Sequence, residues 1–203
     1  MPLKEVLVGE LRDLYSAENQ LVKALPKLVK GAESEELSQL IADHLEETKG
    51  QVARLKDIFG MLGLKPTGKH CSGMEGVIEE GKEALEEDEE GAAFDLGICG
   101  GSVRVEHYEI AGYTACIAMA EGLGLHDVAQ LLNDTLEEEK AASEKLTALA
   151  EELIEQAVSE GETEDPEEQG DKKPKTGKEK YSDKKSKEDE KGARPGLKGT
   201  KKK

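Results

Sequence analysis

The sequence predicts an all-α protein, a four-helix bundle with one additional short helix, followed by a disordered charged tail. Three observations point there. Apolar residues recur at three- and four-residue steps, and no segment alternates convincingly with a period of two. Leu, Ala, Glu and Lys are abundant, whereas aromatic residues make up 3% of the 203 residues and Trp is absent. That is the composition of helices packed on helices, with little left for a base-stacking platform. Cap and turn residues, finally, divide the first 158 positions into four long stretches and one short one.

The first stretch covers about residues 3–30 and closes at Gly31, with Pro26 expected to kink it late. Ser34, followed by Glu35 and Glu36, has the form of an N-cap with an acidic first turn, and opens a second helix that ends near Gly63, before Pro66. Ser72 and Glu75 stand at capping-box spacing for a shorter third helix, which runs out in the acidic cluster before Gly91. A fourth spans about residues 92–121 and stops at the Gly122 and Gly124 pair; a fifth starts at His126 or Asp127 and reaches about Val158. Placing the short helix in the crossover between the second and third long ones gives a bundle. A helical repeat array is excluded because the segments share no fixed period.

Composition changes abruptly near Val158. Residues 159–203 hold 14 Lys and Arg and 12 Asp and Glu, and Leu197 is their only aliphatic residue larger than Ala. Such a segment buries too little apolar surface to offset its ordering entropy. The chain thus divides into a helical bundle, residues 1–158, and a disordered Lys/Glu-rich tail, residues 159–203. The formal charge of −17 becomes −19 for the bundle alone, so nucleic acid is an expected partner only through the basic end of the tail. No apolar run has the length of an export signal or a membrane span, which excludes a membrane partner from the reading. Cys71, Cys99 and Cys116 form neither a disulfide framework nor a CxxC knuckle, and a reducing cytoplasm is the expected compartment.

The informative residues interrupt the apolar stripes. Positions 7, 11, 14, 18, 21, 25 and 28 read Leu, Leu, Leu, Glu, Leu, Leu and Leu, so Glu18 stands in the middle of a leucine seam. Glu139 breaks the stripe of the fifth helix in the same way, and Glu106 that of the fourth, with Glu109 one turn further along its edge. In the second helix a polar layer of His44, Glu47, Thr48 and Gln51 separates Leu37 and Ile41 from Leu55 and Ile58. All four interruptions fall near mid-helix, and no Lys or Arg lies on these stripes to pair with them. An isolated carboxylate in an apolar interior costs several kcal/mol unless it is paired or neutralised. Carboxylates plus one imidazole facing inward from four helices are how bundles hold two iron or manganese ions, while solvated Glu at a bundle opening is the bland alternative. Tyr15 and Tyr113 read as core packing, with a hydrogen bond to a ligand open to either. Glu46, Glu137, Glu138 and His107 are expected to face solvent or a second layer.

The blocks LRDLYSAENQLVKALPKL, HLEETKGQVARL, CSGMEGVIEEG, VEHYEIAGY and LLNDTLEEEKAASEKLTALA, in this order, resemble the YciF/YciE-like ferritin-like family of stress-associated proteins. The resemblance covers about residues 3–157. It implies a ferritin-like bundle, a homodimer rather than a storage cage, and a dinuclear centre of two iron ions, with manganese as the other candidate. Carried over by residue, the implied ligands are Glu18 in YSAEN, His44 and Glu47 in HLEE, Glu106 and Glu109 in EHYE, and Glu139 in TLEEE. The chain departs from the broader ferritin-like pattern, because His44 precedes Glu47 and Ala142 stands three residues after Glu139, where a His is usual. The function implied is oxidation of ferrous iron or reduction of oxygen or peroxide; the alternative is a non-catalytic structural or interaction protein. Every long stripe ends before Ser159, so a chain cut after Val158 should keep its helical circular dichroism and its cooperative melt.

Overall fold

The structure, a computed structural model, describes residues 2–86 and 90–163. It contains α1 (Pro2–Gly31), α2 (Glu35–Met61), α3 (Ser72–Ala84), α4 (Gly91–Gly122) and α5 (His126–Thr163), with no strand among the described residues. Leu7, Leu11, Leu14, Leu21 and Leu25 are buried along α1, the stripe expected from their spacing. The helix runs through Pro26 to Gly31, so the missing N–H removes one ladder bond without ending it. Ser34 caps α2, its Oγ accepting the Leu37 N–H at 3.3 Å.

Two local expectations change. The cap of α3 is Cys71, one residue before Ser72; its Sγ accepts the Met74 N–H at 3.4 Å and lies 3.0 Å from Tyr108 Oη. Burial selects it: Cys71 is enclosed between Tyr108 and the chain below, while Glu75 turns out to His70 at 3.0 Å instead of closing a capping box. At the other end, α5 continues five residues past Val158. The Glu160 carboxylate there accepts the Ala92 N–H at 3.3 Å, satisfying an orphan donor in the first turn of α4. A cut after Val158 would remove this contact but no residue of either apolar cluster. The remainder of the expected tail, residues 164–203, lies outside the described residues.

The buried apolar side chains fall into two clusters. One joins Leu21 and Leu25 of α1 with Ile41 of α2, Ile98 of α4 and Leu146 and Leu149 of α5. The other joins Leu7 and Leu11, Leu55 and Ile58, Tyr113 and Cys116, and Leu132. Along α1 and α5 the second cluster precedes the first; along α2 and α4 the order is reversed. α1 and α2 are thus antiparallel, as are α4 and α5, and α2 runs parallel to α4. The chain must cross the length of the bundle between α2 and α4, and α3 lies in that crossover against α4 and α1. This is the one-crossover topology of ferritin-like bundles.

The link between α1 and α2 is held from a distance. Buried Asp95, in the first turns of α4, accepts the N–H of Glu33 at 2.9 Å and that of Ser34 at 2.6 Å. A carboxylate that satisfies two backbone donors on another element fixes the α1–α2 turn against α4. Asp95→Ala should lower the unfolding free energy by about 2–3 kcal/mol. Urea denaturation of full-length protein checks this, with exposed Gln39→Ala as the near-neutral control.

Candidate metal centre

Between the two apolar clusters lies a single polar layer. Glu18 of α1, His44, Thr48 and Gln51 of α2, Glu106 and Glu109 of α4, and Thr135 and Glu139 of α5 are all buried. Antiparallel and parallel pairing alike bring the mid-points of four similar helices to one height, which is why interruptions at residues 18, 44, 106 and 139 meet. Glu106 and Glu109 are three apart, so one lies about 60° around the helix from the other. Both are enclosed because α4 is packed by α1, α3 and α5. Gly112 contributes to that closeness, since a Cβ there would stand 2.8 Å from Leu14 Cδ2.

His44, Glu106, Glu109 and Glu139 each offer a ligand atom, and these four atoms lie within 4.8 Å of one another. Glu18, buried in the same layer, accepts the Tyr113 hydroxyl at its Oε1. His44 Nε2 is 3.4 Å from Glu106 Oε1, and its Nδ1 is 3.7 Å from Glu47 Oε2. Glu47 differs from the rest. Its side chain is 38% exposed, because α2 packs mainly on α1 and α5 and a residue three positions from His44 reaches the open edge. Five of the six expected residues are thus gathered in the interior, and the sixth stands at its rim.

Eight ligand atoms here are buried without a hydrogen-bond partner among the described residues: one oxygen each of Glu18 and Glu106, both of Glu109 and Glu139, and both ring nitrogens of His44. Buried polar atoms are almost always satisfied, so such a concentration marks a place for a group that accepts lone pairs. Burial raises the pKa of Glu18, Glu106 and Glu109 well above the ordinary carboxyl value, and the charge of neighbouring carboxylates adds to it. Burial also raises Glu139, partly offset by the neighbouring Glu106 and His44. The His44 ring lowers Glu47. Burial, then Glu18 and Glu109, push the Tyr113 phenol well up, so it remains a donor. A divalent cation would relieve all four buried carboxyls at once, and the donor set fits one.

Some contacts around the layer carried no sequence signal. Arg54 makes a two-pronged ion pair with Glu138 at 2.7 and 2.8 Å and donates to Thr135 Oγ1 at 2.6 Å, tying α2 to α5 beside the site. Gln51 Nε2 donates to the same carboxylate at 3.2 Å. Arg54 is one cation among several on α2, and its partners are more than 80 residues away, so spacing could not single it out. Glu46 and Glu137 pair outward with Lys49 and Lys140, and His107 Nδ1 bonds to the Val103 carbonyl, away from the cluster.

The sign of the pH dependence follows from the raised carboxyls. Without metal, each contributes stability that is fully present below the unfolded carboxyl pKa of about 4.3 and is lost as pH rises through its raised folded value. In chelator, the melting temperature should therefore fall between pH 5 and pH 7.5, and the fall should be shallower in Glu109→Gln. Saturating Mn(II) should reverse it in the unsubstituted protein, because the ion displaces the protons. Equal slopes in chelator for the two proteins would mean that these carboxyls are not linked to stability.

Residues 2–159 match the family profile of DUF892, a domain of unknown function. Protein YciF of Escherichia coli strain K12 is 44% identical over 149 residues, spanning 73% of this chain and 90% of that protein. The crystal structure of the E. coli stress protein YciF matches with a TM-score of 0.73 at 42% identity, over 75% of this chain and 97% of that one. YcfI of Rhodopseudomonas palustris, provisionally called a structural protein, matches at 0.70 and 44% identity, over 71% and 92%. A protein of Xanthomonas campestris matches at 0.63 and 26% identity, over 80% and 99%. A bundle with this crossover, matched over nearly its whole described length, makes the chain a member of the DUF892 family, to which its likeness to YciF also assigns it.

Proposed function

We propose that this protein is a dinuclear metal protein of the stress response, holding two iron ions, with manganese as the other candidate, and oxidising ferrous iron or reducing oxygen or peroxide. The observation that supports it is the set of eight orphaned ligand atoms in one buried layer. His44, Glu106, Glu109 and Glu139 would hold the metal together with Glu18, and Glu47 would complete the donor set from the rim. One imidazole among carboxylates is a hard, oxygen-rich donor set suited to iron or manganese. When bound, such a pair supplies two electrons and a Lewis acid. The chain's own residues do the rest. The Tyr113 hydroxyl fixes the orientation of Glu18, the Arg54–Glu138 pair fixes α2 against α5, and the apolar clusters exclude bulk water. Glu47, whose ionised form His44 favours, would bring one carboxylate to the rim, where it meets solvent.

A second reading, a non-catalytic structural protein that keeps the bundle, is favoured by the designation of YcfI. In either case we take the protein to be a cytoplasmic homodimer, which light scattering of the full-length chain tests. Among the described residues no helix is long and apolar enough to cross a membrane.

Metal analysis and stopped-flow oxidation separate the two readings. The full-length protein should bind about two ions per chain, and Glu18→Ala or Glu139→Ala should abolish that stoichiometry while the fold survives. Ferrous oxidation should exceed the buffer rate and stop at about two equivalents per chain, the capacity of one dinuclear site. Two ions bound with oxidation no faster than in Glu18→Ala would leave the structural reading standing.

A further inference from the structure

A cavity of about 330 Å³ lies beside the metal layer and is walled by residues of all five helices. Its wall is mostly aliphatic, with Leu21, Ile41, Val105 and Leu146 from the long helices and Val77 and Ile78 from α3. The space is open within the packing itself: Gly81 of α3 is buried, yet a Cβ added there would meet nothing within 4 Å. An apolar cavity of about 150 Å³ holds one benzene ring, so this one holds on the order of eight to twelve carbon atoms.

Two features of the lining define the occupant. Its charges answer one another: five acidic side chains stand against four lysines, Glu79 pairs with Lys82 at 2.7 Å and is lowered further by Lys27, and Lys145 adds to His44 in lowering Glu47. Such a balance attracts no ion of either sign, and a charge laid on an aliphatic wall loses its hydration, so the fitting ligand is uncharged. The second feature is at the metal layer. His44 and Glu106 belong to the layer and to the cavity wall alike. Both ring nitrogens of His44 and one oxygen of Glu106 are buried without a hydrogen-bond partner among the described residues. A hydrocarbon chain along the wall thus brings one end to the layer, where a polar group meets atoms that lack partners.

We propose that the peroxide reduced at this centre is a straight-chain alkyl hydroperoxide of about eight to twelve carbons, its hydrocarbon chain in the cavity and its –OOH group beside His44 and Glu106. The assignment rests on the dinuclear reading above and names the substrate class for it. One alkyl hydroperoxide, two ferrous ions and two protons give one alcohol, one water and two ferric ions. The O–O bond breaks, accepting one electron from each ferrous ion, and solvent supplies the protons. Burial of methylenes selects this substrate, whereas hydrogen peroxide gains nothing from the aliphatic wall.

Binding is measured first without metal. Calorimetric titration of the full-length protein in chelator with 1-octanol, the product of octyl hydroperoxide reduction, should show saturable one-to-one binding. The ferrous-loaded protein is then mixed in stopped flow with octyl hydroperoxide or with hydrogen peroxide, and oxidation should be at least about tenfold faster with the octyl compound. Gly81→Leu fills the space, and Ile78→Gln puts an amide on the wall. Each should weaken octanol binding and lower the ratio of the two rates by about tenfold, with the melting temperature and Mn(II) stoichiometry retained. Absence of saturable octanol binding, equal rates with the two peroxides, or a ratio unmoved by both variants would overturn the assignment. Failure of the dinuclear reading would look different: no Mn(II) stoichiometry and no oxidation by either peroxide, with octanol binding intact, an outcome that also removes the hydroperoxide as substrate.

Discussion

Glu18, Glu106, Glu109 and Glu139 are buried so closely that each charge opposes ionisation of the next, and no Lys or Arg stands among them. Desolvating even one carboxylate costs several kcal/mol, and four together are tolerated only with protons or cations to share. The fold around them is arranged to bear that cost. Two aliphatic clusters, above and below, supply the burial that holds four helices together whether the layer is protonated or metallated. The polar layer contributes little cohesion of its own.

Contacts just outside the layer restrict how its members move. Thr48 Oγ1 donates to the His44 carbonyl at 2.8 Å, Tyr113 donates to Glu18, and Arg54 clamps Glu138 next to Glu139 in sequence. The Tyr113 and Arg54 contacts tie the layer, or its neighbour, to another helix, and the Thr48 contact stays within α2, so the polar side chains are restrained by what surrounds them. Glu47 is the exception, with no such restraint beyond His44 and more than a third of its side chain open. The four enclosed carboxylates thus have one partly exposed neighbour at the rim of their layer.

The same geometry explains why a cavity persists beside the layer. α3 packs on α4 and α1, so α2 and α5 are left to meet along one narrow seam, and glycines at positions 81 and 101 let α3 and α4 approach without side chains to fill the space between bundle and crossover. Gly101 would place a Cβ 3.4 Å from the Gly81 backbone, close enough that the pair sets the helix spacing. Small residues thus shape both the approach of the helices and the volume they enclose.

Most of the bundle was legible in the sequence because its signals are local. Helical periodicity, Ser34 as a cap, the glycines at 63 and 124 with φ near +70°, and carboxylates interrupting leucine seams are all read within a few residues of themselves. The sequence alone determined that the chain is helical, where its helices lie and which side chains are out of place in a core. Only the tertiary structure decided how those side chains stand to one another. It put Cys71 rather than Ser72 at the head of α3, because burial against Tyr108 outweighs a capping box, and carried α5 on to Thr163, because Glu160 meets α4. It enclosed Glu109 and left Glu47 at the rim, although both stand three residues after a buried partner. The physical reason is circumference: periodicity gives the angle of a residue around its own helix, whereas exposure at that angle depends on how many other helices surround it.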